Sequence, residues 1–255
     1  MNIIKEHLAV GLKAWQKKGA KISYLKHNKI KVPQIFISAG VQSDKLFLIC
    51  SGFHLEETSG PLFLLNPYKS LASLKRILKE TNVVLFPVIN QYGLRYPEDS
   101  QDKFLRYNQE GLNYNSAWGY QKKKCQEVKL VEERLIELHK KYQIIFTLSL
   151  HEDSTEVGKG YVWINNIVKP VRKIIQSGLK KKVDNRLLLK MKSTLGLRKG
   201  KIEKGFSIID AKDDSFESFS SDILGIPTLL SEAPFGLDLK KRIAFHKASL
   251  SSIPV

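Results

Sequence analysis

The chain reads as an α/β protein: a single domain on a mixed, mostly parallel twisted sheet flanked by helices. Three observations predict this. Residues 46–50, 83–86 and 144–150 are predominantly apolar runs, the mark of strands covered on both faces. Between them lie stretches with apolar residues at helical spacing, such as Val128, Val131, Leu135 and Leu138. Strands alternating with helices in this way build a sheet between helix layers, and 255 residues suffice for one such domain.

Taken in order, residues 2–18 form an amphipathic helix that stops at Gly19, and residues 32–38 and 46–50 form strands. Gly60-Pro61 opens a helical region, because proline suits a first turn whose N–H has no partner anyway. Residues 70–80 continue as helix, 82–89 as strand, and 90–120 as a long polar loop region. A helix over 124–141 and a buried strand over 144–150 follow. Beyond them the pattern predicts a short strand at 159–164, a helix at 167–179, a basic and less regular stretch at 180–204, and a helix at 215–224. A strand entering Ser231-Glu232-Ala233-Pro234 and a last helix over 236–251 complete the order. No internal repeat is visible. The single domain thus spans 1–255, with its core at about 32–235.

Composition narrows the function classes. The net charge of +17 comes mainly from lysine, in clusters at 122–124, 180–182, 198–204 and 240–242. These clusters are scattered and carry little aromatic interleaving, so they read as solvated faces rather than a nucleic-acid surface. Lys5, Glu6, Lys13, Lys17 and Lys18 interrupt the first twenty residues, which excludes the apolar stretch of a secretory signal there. No run approaches the ~18 apolar residues of a membrane span. A soluble, cytoplasmic protein is the expectation. Two cysteines, Cys50 and Cys125, do not make a disulfide framework, and Cys50 is expected in the core.

The chemistry-bearing residues cluster where predicted strands end, which is where open α/β sheets place their sites. After the run 46–50 comes Gly52-Phe53-His54-Leu55-Glu56-Glu57. His54 and Glu57 are three residues apart, a spacing at which two side chains can reach one metal ion. Alone it equally suits a solvated turn. The run 144–150 ends in His151-Glu152-Asp153, a second strand-end set that could complete a His, Glu, His zinc site with an open fourth position. The loop after Asn90 offers a cation, Arg106, and the last strand offers a carboxylate, Glu232.

The ordered set Gly-x-His-x-x-Glu, Asn-x-x-Gly, Arg-x-Asn-x-x-Gly, Asn, strand-His and strand-Glu resembles the zinc carboxypeptidase superfamily, in particular its short bacterial carboxypeptidase and amidase branch. The likeness runs from about residue 32 to about 235. It implies that His54, Glu57 and His151 bind one Zn²⁺ per chain, and that Glu232 is the general base that later protonates the leaving amine. It implies that Arg106 polarises the scissile carbonyl, and that Asn115 helps to hold the substrate's terminal group. Tyr161 is a candidate substrate-facing tyrosine, with an ordinary strand aromatic as the alternative. Glu152 and Asp153 would support the ligands or cap a loop.

Two positions depart from the family pattern. The aspartate that orients the first zinc histidine is Asn113 here, which accepts a hydrogen bond but adds no negative charge. The arginine that clamps the substrate's carboxylate is Ser116, which cannot form a charged bidentate clamp. Asn113 and Ser116 thus stand at the substrate-facing wall with altered chemistry. The related aspartoacylase and succinylglutamate desuccinylase branch commonly has glycine after the first zinc histidine; Leu55 stands here.

The resulting expectation is a zinc-dependent hydrolase of a C–N amide bond in a peptide or small acylated amine. Two other readings stay open. One is a deacylase of N-acyl amino acids. The other is a non-catalytic metal-containing protein that binds an anionic polymer through its basic surface.

Overall fold

The computed structural model describes residues 2–97, 103–195, 198–208 and 213–254. The chain opens with helix α1 (Ile3–Lys17) and strands β1 (Lys21–His27), β2 (Ile30–Ile37) and β3 (Lys45–Ser51). Helices α2 (Ser59–Leu64) and α3 (Pro67–Leu74), strand β4 (Asn82–Phe86), helix α4 (Gln126–Lys141) and strand β5 (Gln143–Asp153) follow. Then come β6 (Tyr161–Asn165), α5 (Lys169–Lys182), β7 (Met191–Leu195), β8 (Arg198–Glu203) and β9 (Phe206–Ile208). The last elements are the short helical turn α6 (Phe216–Ser218), β10 (Thr228–Pro234) and α7 (Leu239–Ser252).

Among the described residues ten strands form one mixed sheet in the order β1-β2-β4-β3-β5-β10-β6-β9-β8-β7. Its centre, β4-β3-β5-β10, is parallel. These strands are the apolar runs of the sequence, and Leu46, Leu48, Val84, Leu148 and Leu229 are fully buried. Towards both edges the sheet becomes largely antiparallel, through the pairings β1/β2, β2/β4, β10/β6, β8/β9 and β7/β8. No helix among the described residues is long and apolar enough to cross a membrane.

Each sheet face buries its own core. On one side α1, α2, α3, α5 and α7 contribute Ile4, Trp15, Phe63, Leu74, Ile175 and Leu250. The Asn2 side chain caps α1 by accepting from the N–H groups of Ile4 and Lys5 at 3.1 and 3.2 Å. Trp15 joins α1 to α2 by donating its indole N–H to the Leu64 carbonyl at 2.8 Å. On the other side α4 packs over β1, β2 and β5 and adds Val128, Val131, Leu135 and Leu138 to a core that also holds Leu48, Phe53, Trp118 and Phe216. Both cysteines are free and buried, including Cys125, whose sequence surroundings are charged. The parallel strands β3, β5 and β10 end at the same edge of the sheet, and the site is built there.

Candidate metal centre

Backbone geometry brings the two ligand-bearing segments together. Gly52 ends β3 at φ +65°, and a Cβ there would lie 2.8 Å from the Val88 Cα. The Gly52 carbonyl accepts from the Asn90 N–H at 2.8 Å, and the Leu55 N–H donates to the Leu105 carbonyl at 2.9 Å. The His54 turn is thereby held between the end of β4 and the loop that carries Arg106. Buried Asn90 tightens that loop by donating to the carbonyls of Phe104 and Leu105 while accepting from the Gly93 N–H.

Gly60 lets α2 press directly on β5, because a Cβ there would sit 2.9 Å from the Leu150 Cβ. Glu152 then staples the two segments. Its carboxylate accepts from the Ser59 N–H at 2.7 Å and pairs with Arg242 of α7 at 2.6 Å, and its own N–H donates to Glu57 Oε2 at 3.2 Å.

His54, Glu57 and His151 offer ligand atoms that all lie within 4.8 Å of one another, and all three residues are buried. Both imidazoles turn Nδ1 to the same carboxylate, His54 to Oε1 at 2.7 Å and His151 to Oε2 at 2.8 Å. The carboxyl of Glu57 is held well below its usual range; burial pushes it up, and the two histidines outweigh that. Burial alone would lower His151, but the charge and hydrogen bond of Glu57 raise it to about 9.

The outer partners set the tautomer of His54. Asn113 Oδ1 accepts from the Asn115 N–H at 2.8 Å, so it is an oxygen, and it lies 2.9 Å from His54 Nε2. Nε2 therefore carries the proton, and the Nδ1 lone pair faces a carboxylate oxygen, which is stable only with a proton or a cation between them. Two imidazoles and one carboxylate, all turned inward, are a donor set that suits a tetrahedral zinc with one open position. The residues fit the metal that the motif implies. The His151 ring is fixed by Phe53, stacked on it at a centroid distance of 4.8 Å and an angle of 17°. Trp118 and Phe216 pack behind Phe53.

A cavity of about 400 Å³ opens beside these three residues, and every candidate from the sequence lines it: Arg106, Asn113, Asn115, Ser116, Tyr161 and Glu232. Arg106 reaches it with its guanidinium held by Glu56 at 2.7 Å and Glu57 at 3.1 Å. Glu232 sits beside His151 in the register of β10 on β5. Its Oε2 is buried with no hydrogen-bond partner among the described residues. Burial pushes its carboxyl well above the usual range, and the charges of Glu57, Asp153 and Glu217 add to that, against His151. Asn115 lines the cavity with its amide engaged behind it: Nδ2 donates to Glu217 at 3.3 Å and Oδ1 accepts from the Phe216 N–H at 3.3 Å. The Tyr161 hydroxyl donates to Asp153 at 2.7 Å. Trp163 and Leu230 supply an apolar wall.

Two carboxylates not singled out by the sequence reading prove central to the geometry. Glu56 anchors Arg106. Glu217, on α6, reaches under the site, accepts from the hydroxyl of Ser149, and lies 3.9 Å from His151 Nε2. Glu56 occupies an unspecified position inside the His54–Glu57 motif, and Glu217 lies outside every motif, 66 residues from His151 in the chain, so only folding brings them together.

No family model and no curated protein sequence matches the chain. Solved structures do. A candidate metallopeptidase from Shewanella denitrificans superimposes with a TM-score of 0.71 at 21% identity, over 98% of this chain and 87% of that one. A second, from Shewanella baltica, gives 0.74 at 18% identity, over 98% and 91%. A metallo-carboxypeptidase from Pseudomonas aeruginosa, in complex with (2-guanidinoethylmercapto)succinic acid, gives 0.70 at 15% identity, over 97% and 67%. At such identities the likeness is one of fold alone: the chain shares the α/β fold of these metallopeptidase and metallo-carboxypeptidase structures.

Proposed function

We propose that the protein is a zinc-dependent hydrolase of a C–N amide bond, of carboxypeptidase or amidase type. The observation that carries this reading is the convergence of His54 Nδ1, His151 Nδ1 and the Glu57 carboxylate in a buried cluster at the edge of an open cavity. A zinc ion held there supplies Lewis acidity, which polarises a carbonyl and acidifies water towards a pKa of about 7.

The chain's own groups do the rest. Glu232 takes a proton from the attacking water and delivers it to the leaving nitrogen, as a general base and then an acid. Its unpartnered Oε2 keeps a lone pair available for that proton. Arg106 brings fixed positive charge to the oxyanion that develops on the carbonyl, and Glu56 holds the guanidinium in place. Trp163, Leu230 and Tyr161 form the wall against which an apolar part of the substrate packs, excluding water.

The balance of charge around the cavity favours the amidase side of this reading over a deacylase of N-acyl amino acids. Glu57, Glu152, Asp153 and Glu232 line it, and among the described residues Arg106, which Glu56 and Glu57 already hold, is the one lysine or arginine in its wall. A substrate without a free carboxylate suits such a surface better than one whose carboxylate must be clamped. The test is turnover of a panel of short peptides, their C-terminal amides and N-acyl amino acids by the zinc-loaded protein. The expectation is that amides are cleaved at least as fast as the free acids, and that Glu232→Gln lowers kcat by about 10²–10⁴ while leaving zinc affinity unchanged. Full activity in that variant would contradict the assigned role of Glu232.

A further inference from the structure

We infer that Glu217 is a positioning residue for the metal centre, the carboxylate that receives the Nε2 proton of His151. The inference rests on the zinc reading above and concerns a residue outside every motif that suggested it.

A neutral imidazole that offers its Nδ1 lone pair to a metal must carry its proton on Nε2. On His54 that proton meets Asn113 Oδ1 at 2.9 Å. On His151 the corresponding Nε2 is buried and makes no hydrogen bond among the described residues. A buried N–H without an acceptor is costly, so the site needs one. Glu217 Oε1 lies 3.9 Å from this nitrogen, about 1 Å beyond hydrogen-bond length, and a modest side-chain rotation closes that gap.

The state of Glu217 points the same way. Its side chain is 2% exposed, and its hydrogen-bond partners are the neutral groups Ser149 Oγ and Asn115 Nδ2. No lysine or arginine among the described residues pairs with it. A carboxyl so deeply buried calls for hydrogen-bond donors around it, and His151 Nε2 is the buried nitrogen beside it that has no partner among the described residues. The arrangement also answers the neutral amide at position 113: the carboxyl group missing behind His54 is present behind His151 instead. A carboxylate behind a ligating imidazole fixes the ring and raises its basicity.

The decisive experiment is zinc affinity, measured by competition with a chromogenic chelator, for the wild type, Glu217→Gln, and Glu217→Gln combined with Asn113→Asp. Glu217→Gln is expected to bind zinc about 10–100-fold more weakly. Asn113→Asp, by restoring a carboxylate behind His54, is expected to recover most of that loss. Unchanged affinity in Glu217→Gln would overturn the inference, as would a loss that Asn113→Asp does not recover. A wild type that binds no zinc would defeat the metal reading itself, which separates the two failures. A readout that needs no variant is NMR of the zinc-loaded wild type with ¹⁵N-labelled histidines. His151 is expected to be protonated on Nε2, with that proton protected from exchange; an unprotonated Nε2 would also overturn the inference.

Discussion

His151 and His246 are both buried imidazoles, and their neighbours drive them in opposite directions. Glu57 raises His151 to about 9, whereas burial lowers His246 to about 3, helped by the positive charges of His151 and Arg242. His246 bridges two hydroxyls, Ser59 Oγ and Ser231 Oγ, each at 3.0 Å, and so ties α2 to β10 as a neutral ring. Its folded pKa lies below the ~6.5 of an unfolded chain. Between these values the unfolded state binds more protons, so stability is complete above about pH 6.5 and falls as the pH drops towards 3. The slope from this residue is at most ~1.4 kcal/mol per pH unit. Urea midpoints of the metal-free protein at pH 7, 5.5 and 4.5 should decline, and His246→Gln should flatten the decline; an unchanged slope would contradict the account. At this scale His54, Glu57 and His151 are legible from sequence because each lies within a few residues of the end of an apolar run, although β5 itself continues past His151 to Asp153. Glu217 is not legible, because nothing local marks a carboxylate that meets its imidazole only across the fold.

The elements that matter most to the site are joined by one buried ion pair. Glu152 on β5 and Arg242 on α7 meet at 2.6 Å with side chains 0% and 17% exposed, and the same carboxylate caps the start of α2. Arg242→Met strands this charge. A loss of about 3–5 kcal/mol in urea unfolding is expected, the usual cost of breaking a buried pair from one side. Adding Glu152→Gln should recover part of it, because a neutral amide tolerates the same place; a single variant as stable as the wild type would refute the clamp. The central strands are readable from sequence as apolar runs. Strand β1 is not, because all of its residues are exposed or half-buried and no apolar run marks 21–27. Strands β7 and β8 hide in the basic stretch 180–204, whose lysines and arginines mask any apolar alternation; they pair antiparallel at the sheet edge. The antiparallel edges therefore come as findings of the structure, whereas the parallel centre is predicted.

For the molecule as a whole, the fold is a sheet with a separate core on each face and a carboxylate-rich cavity at the edge where β3, β5 and β10 end. The high positive charge of the chain, +17, sits elsewhere; within the cavity wall Arg106 is outnumbered by carboxylates. A divalent cation relieves that imbalance and should stabilise the folded state by mass action, by ~4 kcal/mol when free zinc exceeds the dissociation constant a thousandfold. The most direct measurement is therefore the zinc content and thermal midpoint of the wild type and of His54→Ala, each purified without added metal, stripped, and re-exposed to zinc. About one zinc per wild-type chain, with a higher midpoint than the stripped protein and both effects lost in His54→Ala, is the predicted result. A wild type that takes up no zinc, or a His54→Ala variant that takes up as much, would contradict it.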